Sequence, residues 1–142
     1  MANQETYFAL STPSGRSATA TIRISGPNSK KTIFKLFKNK NKNLKPGLNH
    51  VVSLYNKNNH LIDKCVVVFY KNPKSFTGND MVEIHTHGNP VIVDTLSREL
   101  LELGVRHADA GEFTRTALLN NKIDLIQAES LLSLINANTI AG

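Results

Sequence analysis

Glu83-Ile84-His85-Thr86-His87-Gly88 is the stretch of this 142-residue sequence whose residue types most suggest chemistry. Side chains of a β-strand alternate between faces, so Glu83, His85 and His87 are expected on one side. Two histidines and a carboxylate can hold zinc or iron, as a metal-dependent hydrolase would require. The same side chains can equally hydrogen-bond within a half-buried strand end. His50, His60 and His107 are scattered elsewhere, and no second ligand cluster accompanies the run. Arg23 stands between Ile22 and Ile24. It reads either as a surface ion pair or as a fixed cation suited to a carboxylate ligand. Lys122 follows Asn120-Asn121 at a helix junction, where it is either solvated or set to meet an anion.

Other chemistries are excluded or left without support. No Gly-x-x-x-x-Gly-Lys-Ser/Thr loop occurs, so this sequence alone is not expected to hydrolyse GTP. Cys65 is the single cysteine, which rules out an internal disulfide and any cysteine-based metal cluster. No long apolar run or signal sequence is present, and a cytoplasmic location is expected. The net charge of +6 draws the chain toward phosphates. Seven lysines (30, 31, 35, 38, 40, 42 and 45) fall within sixteen residues, without an arginine among them. That run reads as a lysine-decorated helix and loop, with a plain RNA-binding surface as the alternative.

These residues need a scaffold, and the length suits one domain of roughly 100–150 residues. The alternation over 18–25 predicts a strand with Ala20, Ile22 and Ile24 on one face and Thr19, Thr21, Arg23 and Ser25 on the other. Strands are also predicted over 7–10 and 81–87, with a short last one over 105–108. A hairpin is predicted from 51–55 and 61–70 around Asn56-Lys57-Asn58-Asn59. Unbroken Val66-Val67-Val68-Phe69 marks an inner strand. Asn28 or Ser29 can cap a short helix with Ile33, Leu36 and Phe37 on its apolar side. The spacing of Ile92, Leu96, Leu100 and Leu103 predicts a helix from Pro90, with Gly104 at its C-terminal end. Asp109 and Glu112 suggest a capping box for a third helix. A fourth, over 124–138, carries a stripe of Leu125, Ala128, Leu131, Leu132 and Ile135 that needs a surface to cover. Strands and helices without regular alternation predict an α+β fold with a mixed sheet.

Taken together, the motifs resemble the MnmE (TrmE) family of tRNA-modification GTPases. The resemblance rests on Thr12-Pro13-Ser14-Gly15-Arg16 and Ile22-Arg23-Ile24-Ser25-Gly26. It continues in Ser75-Phe76-Thr77-Gly78-Asn79-Asp80 leading into the Glu83 run. Gly111-Glu112-Phe113-Thr114-Arg115, Leu119-Asn120-Asn121-Lys122-Ile123-Asp124-Leu125 and Gln127-Ala128-Glu129 complete it. These stretches follow the family's order along nearly the whole chain. The chain departs from the family pattern at Ser14, Ser17, Ala18, Asn79, Asn89, Ala110 and Thr116.

The resemblance implies a domain similar to the folate-binding part of the glycine-cleavage T-protein. Residues 1–120 would be a folate-binding, dimerising N-terminal domain, and 121–142 the first helix of a helical domain. The implied ligand is 5-formyltetrahydrofolate, and the family's folate-contacting residues fall on Arg23, Glu83 and Lys122. A carboxylate such as Glu83 suits the pterin's amine and ring N–H, and cations such as Arg23 and Lys122 suit the acidic tail. The implied partners are a second copy, an FAD-dependent protein of the MnmG (GidA) family, and tRNA, modified at carbon 5 of its wobble uridine. GTP, Mg2+ and K+ would serve a GTPase domain that this sequence does not contain.

Overall fold

A computed structural model describes residues 5–11, 18–38 and 42–141, with side chains through residue 135. The opening motif Thr12-Pro13-Ser14-Gly15-Arg16, Ser17 and Lys40 lie outside the described residues. The elements, in chain order, are β1 (Tyr7–Leu10), β2 (Thr19–Ser25), α1 (Ser29–Lys35), β3 (Asn49–Tyr55), β4 (Leu61–Tyr70), β5 (Met81–His87), α2 (Pro90–Glu102), β6 (Arg106–His107), α3 (Glu112–Leu119) and α4 (Leu125–Ala141). This is the expected α+β fold. The strands form a single sheet in the order β3-β4-β5-β2-β1-β6. Its pairings are antiparallel except for β1 with β6, which makes the sheet mixed.

Alternation along the strands separates two faces. Ile22 and Ile24 of β2, Val82 and Ile84 of β5, and Cys65, Val67 and Phe69 of β4 point one way into the core. There Ile33 and Leu36 from α1 and Leu96 and Leu100 from α2 meet them. Burying each such side chain contributes on the order of 2 kcal/mol, and the alternation leaves the opposite face for polar groups. The run at 66–69 sits on an inner strand, as expected: β4 has β3 on one side and β5 on the other. Burial pushes the Cys65 thiol up to about 12, with Asp63 adding to the shift, so this cysteine is a packing residue.

The helix starts differ in detail from the sequence reading. At α1 the N-cap residue is Asn28, but its side chain makes no capping bond. Ser29 instead donates its hydroxyl to the Gly26 carbonyl at 2.9 Å. At α3 the N-cap is Gly111, not Asp109. Half of the predicted box survives, because the Glu112 carboxylate accepts the Asp109 N–H at 2.9 Å. The remaining reach of Glu112 goes to Arg106, which donates to both of its oxygens at 2.8 and 2.6 Å. A full reciprocal box occurs one helix later. Gln127 N–H donates to Asp124 Oδ1 at 2.7 Å, and Asp124 N–H donates to Gln127 Oε1 at 2.9 Å. At α2 the Asn89 side chain caps the Val91 N–H at 2.8 Å. Gly104 follows α2 with φ +90, as a left-handed terminator should.

Of the α4 stripe, Ala128 is buried and Leu131, Leu132 and Ile135 are half-buried, while Leu125 is exposed together with Ile126 and Leu134. The helix is therefore apolar on more sides than the domain covers. Among the described residues, no buried side-chain nitrogen or oxygen lacks a partner.

Two predictions follow from this packing. A Cβ at Gly26 would lie 2.6 Å from the Thr6 backbone, at a φ of +134. Gly26→Ala is expected to destabilise the fold by about 2–3 kcal/mol, read from urea unfolding. Hydrogen bonding from Arg106, ahead of the Asp109 N–H, holds the Glu112 carboxyl below its ordinary value. Because the folded value is the lower one, the contribution is full above the ordinary value of 4.5 and is lost as pH falls through the folded one. Glu112→Gln should cost about 1–2 kcal/mol at neutral pH, and the gap from the parent should narrow as pH falls below 4.5 in chemical denaturation.

Candidate functional site

The β2–β5 ladder sets Arg23 directly opposite Glu83. Both point away from the helices α1 and α2, on the face that the apolar alternation leaves free. Arg23 Nε donates to Glu83 Oε2 at 2.8 Å, with the two side chains 37% and 14% exposed. Glu83 is thus the better shielded partner, and Arg23 lies toward solvent. Two more groups approach the other carboxylate oxygen, Oε1. His85 Nε2 lies 3.3 Å away, and the Tyr70 hydroxyl donates from 3.5 Å. Burial, and then the Glu83 carboxylate, push the Tyr70 phenol above its usual value, so it remains a donor at neutral pH. His85 Nδ1 is 3.0 Å from Thr21 Oγ1. If that nitrogen accepts from the hydroxyl, the opposite nitrogen carries the proton toward Glu83.

A braced loop forms one wall beside this cluster. Residues 71–80 are held by the Asp80 carboxylate, which accepts from the Asn72 backbone and side chain at 2.9 and 2.8 Å. Ser25 Oγ and Thr77 Oγ1, both buried, lie 2.9 Å apart, and Asn120 Nδ2 donates to the Thr77 carbonyl at 2.7 Å. The loop presents Phe76, 38% exposed, with its ring centre 6.0 Å from the Arg23 guanidinium carbon. Arg23 and Phe76 line a cleft of about 560 Å³ whose far side is Phe113, Leu131, Leu134 and Ile135. α3 is fixed there by Tyr7: its ring meets Phe113 edge-on at 5.0 Å, and its hydroxyl lies 2.6 Å from Thr116 Oγ1. Asn79 and Thr116, where the chain departs from the family pattern, thus take part in the bracing, Asn79 by accepting from Asn120 at 3.2 Å.

The three residues singled out for a ligand are placed unequally. Arg23 and Glu83 are in contact. Lys122 is exposed after α3, and its Nζ donates to the Pro73 carbonyl at 2.9 Å. It meets the base of the same loop that carries Phe76, and does not join the Arg23–Glu83 pair. Tyr70 and Phe76 complete the cluster and were not legible in the sequence as site residues, whereas Thr21 was read onto the Arg23 face. Their proximity depends on strand register and on a loop fold, neither of which leaves a local spacing signal.

The metal reading is corrected. Glu83 and His85 do share a face, but the His87 ring turns at the strand end to Asp63. Its Nδ1 lies 2.9 Å from Asp63 Oδ1, and its backbone N–H donates to Oδ2 at 3.0 Å. Asp63 is buried, and satisfying it is what draws His87 away from the other two. Among the described residues, no group of three or more His, Cys, Asp or Glu is placed to hold a metal ion. Purified protein is accordingly expected to carry far less than one zinc or iron per chain by mass spectrometry, and excess EDTA should leave its melting temperature unchanged.

Comparison with known proteins agrees with the motif reading. Residues 6–122 match the family model described as the GTP-binding protein TrmE N-terminus. A tRNA modification GTPase MnmE of Legionella pneumophila (strain Corby) is 46% identical over 135 residues, covering 95% of this chain and 30% of that protein. The protein of the same name from Fervidobacterium nodosum is 47% identical over 141 residues, covering 96% of this chain and 30% of its own. That from Granulibacter bethesdensis is 41% identical over 139 residues, with 98% and 31% covered. The chain spans about 30% of the length of these curated relatives. With the match running from β1 past the end of α3, the chain belongs to the MnmE/TrmE family and corresponds to its N-terminal domain.

Proposed function

We propose that this chain is the folate-binding, dimerising domain of a tRNA-modifying GTPase, with 5-formyltetrahydrofolate as its ligand and one-carbon donor. The observation that carries the reading is the Arg23–Glu83 contact, with Arg23 also lining a cleft, inside a family match that spans the domain. Residues 121–142 would then be the start of a helical domain, which accounts for the exposed Leu125, Ile126 and Leu134. In the whole protein, a GTPase domain using GTP, Mg2+ and K+, together with an FAD-dependent partner, would direct the modification to carbon 5 of the wobble uridine.

The 2.8 Å contact argues for a division of labour different from the one the resemblance suggested. Two groups in contact cannot serve opposite ends of a long ligand. One edge of a pterin presents a carbonyl oxygen, a ring N–H and an exocyclic amine side by side. Arg23 as donor and Glu83 as acceptor form a matching neighbouring pair. Glu83 Oε2 keeps a lone pair beyond the one that meets Arg23, while His85 and Tyr70 take both on Oε1, so a ligand adds at Oε2 and a second donor displaces one of those two longer contacts. Both side chains therefore read the pterin, and Lys122 is the cation left for the glutamate tail. Phe76 is the flat apolar surface beside them.

Calorimetric titration tests this. Glu83→Gln should weaken 5-formyltetrahydrofolate binding by about 10–100-fold. Arg23→Met should weaken the folate and its tail-less pteroate analogue equally, and Lys122→Met should weaken only the ligand that has the tail. Unchanged affinity in Glu83→Gln would defeat the pterin assignment. A monomer at micromolar concentration in light scattering would count against a site shared between two copies.

A further inference from the structure

We infer that the α1 side of the domain is a docking surface for the phosphate backbone of RNA, separate from the Arg23–Glu83 site. It rests on the tRNA part of the reading above and is independent of the folate part. Charge along the chain is strongly divided. Residues 24–62 hold eight lysines and no aspartate or glutamate, while residues 79–142 hold nine acidic residues against four lysines and arginines.

The fold gathers that excess. Lys30, Lys31, Lys35 and Lys42 line an open groove of about 490 Å³ with Phe34. Lys38 stands at a second groove, of about 450 Å³, with Phe37 and Tyr55. All five lysines are exposed. Two are held over aromatic rings: Lys30 Nζ lies 5.1 Å from the centre of Phe69, and Lys38 Nζ lies 5.3 Å from that of Tyr55. The acid bordering the first groove is Asp80, whose carboxylate is already engaged by Asn72.

Two physical points favour a polyanion. Lys31 and Lys35 are four apart on α1, so their like charges destabilise this short helix. No acid lies within a turn of them to relieve the repulsion, and a row of phosphates would. The first groove also lies across the sheet from Glu83, because α1 packs on the opposite face through Ile33. A folate held at Arg23 and Glu83 therefore cannot use these cations. Lysines alone supply point charges without bidentate base reading, so the expected recognition is independent of sequence.

Anisotropy of labelled tRNA with the 142-residue chain tests the proposal, from about 50 to 200 mM KCl. The triple variant Lys31→Glu, Lys35→Glu, Lys42→Glu should weaken binding by about tenfold or more at low salt and flatten the log–log salt slope by about 3. The charge-matched triple Lys64→Glu, Lys71→Glu, Lys74→Glu should change affinity by less than about threefold. The corresponding Lys31, Lys35 and Lys42 to Gln variant should fall between; all three should keep the parent's melting temperature, and the two variants of Lys31, Lys35 and Lys42 should keep its folate affinity. Equal losses in the two Glu triples, no loss in the first, or no binding by the parent would overturn the proposal. So would α1 lysines that are needed for phosphatidylserine vesicles and not for tRNA. Loss of folate binding in Glu83→Gln with these results intact would leave both readings standing.

Discussion

Seven consecutive residues of β2 pair with seven of β5 at the middle of the sheet, and that register determines both faces at once. With Ile22 opposite Ile84 and Ile24 opposite Val82, the apolar residues lie back to back with α1 and α2. Arg23 opposite Glu83, and Thr21 opposite His85, then fall together on the other side. A slip of one residue would send every isoleucine of β2 to the polar face and the arginine into the core. The core and the candidate site are thus held by the same backbone hydrogen bonds. The cost of misplacing the core keeps the arginine and the carboxylate in contact.

Around that ladder the domain uses two kinds of support. On the covered face the support is area, supplied by large aliphatic side chains closely packed. On the open face it is directional: Tyr70 and His85 converge on Glu83 with Thr21 behind His85, while Ser25, Thr77, Asn120 and Lys122 hold the loop that carries Phe76. Polar bracing of this sort leaves room for a ligand, since it fixes geometry without filling the space above the sheet. It also shows why α3 and the start of α4 matter to the cleft. They form its apolar far wall, and they supply Asn120 and Lys122 to its loop.

The sequence was most legible where one local pattern fixed one outcome. Alternation in β2 and unbroken apolarity in β4 pointed to their faces and to the inner position of β4. Pro90 and Gly104 marked the start and the end of α2. Reading was poorer where one side chain had several possible partners. Glu112 looked like half of an Asp109 capping box, and the nearby Arg106 fork took most of its carboxylate. His87 looked like a third member of the Glu83 run, and the buried Asp63, distant in sequence, drew it away. The Asp124–Gln127 box has a plain spacing that the helix pattern could have supplied.

By itself, then, the chain of residues determined the strands, the helices, the α+β class and, through its ordered motifs, the family to which it belongs. Those are properties of neighbours along the chain, or of patterns long enough to be specific. Only the tertiary structure decided that Arg23 and Glu83 touch while Lys122 stands apart on the loop, and that Tyr70 and Phe76 join them. It also decided that the α1 lysines lie across the sheet from that site. Such facts depend on strand register and on which face a helix covers, and these are set by the packing of residues far apart in sequence.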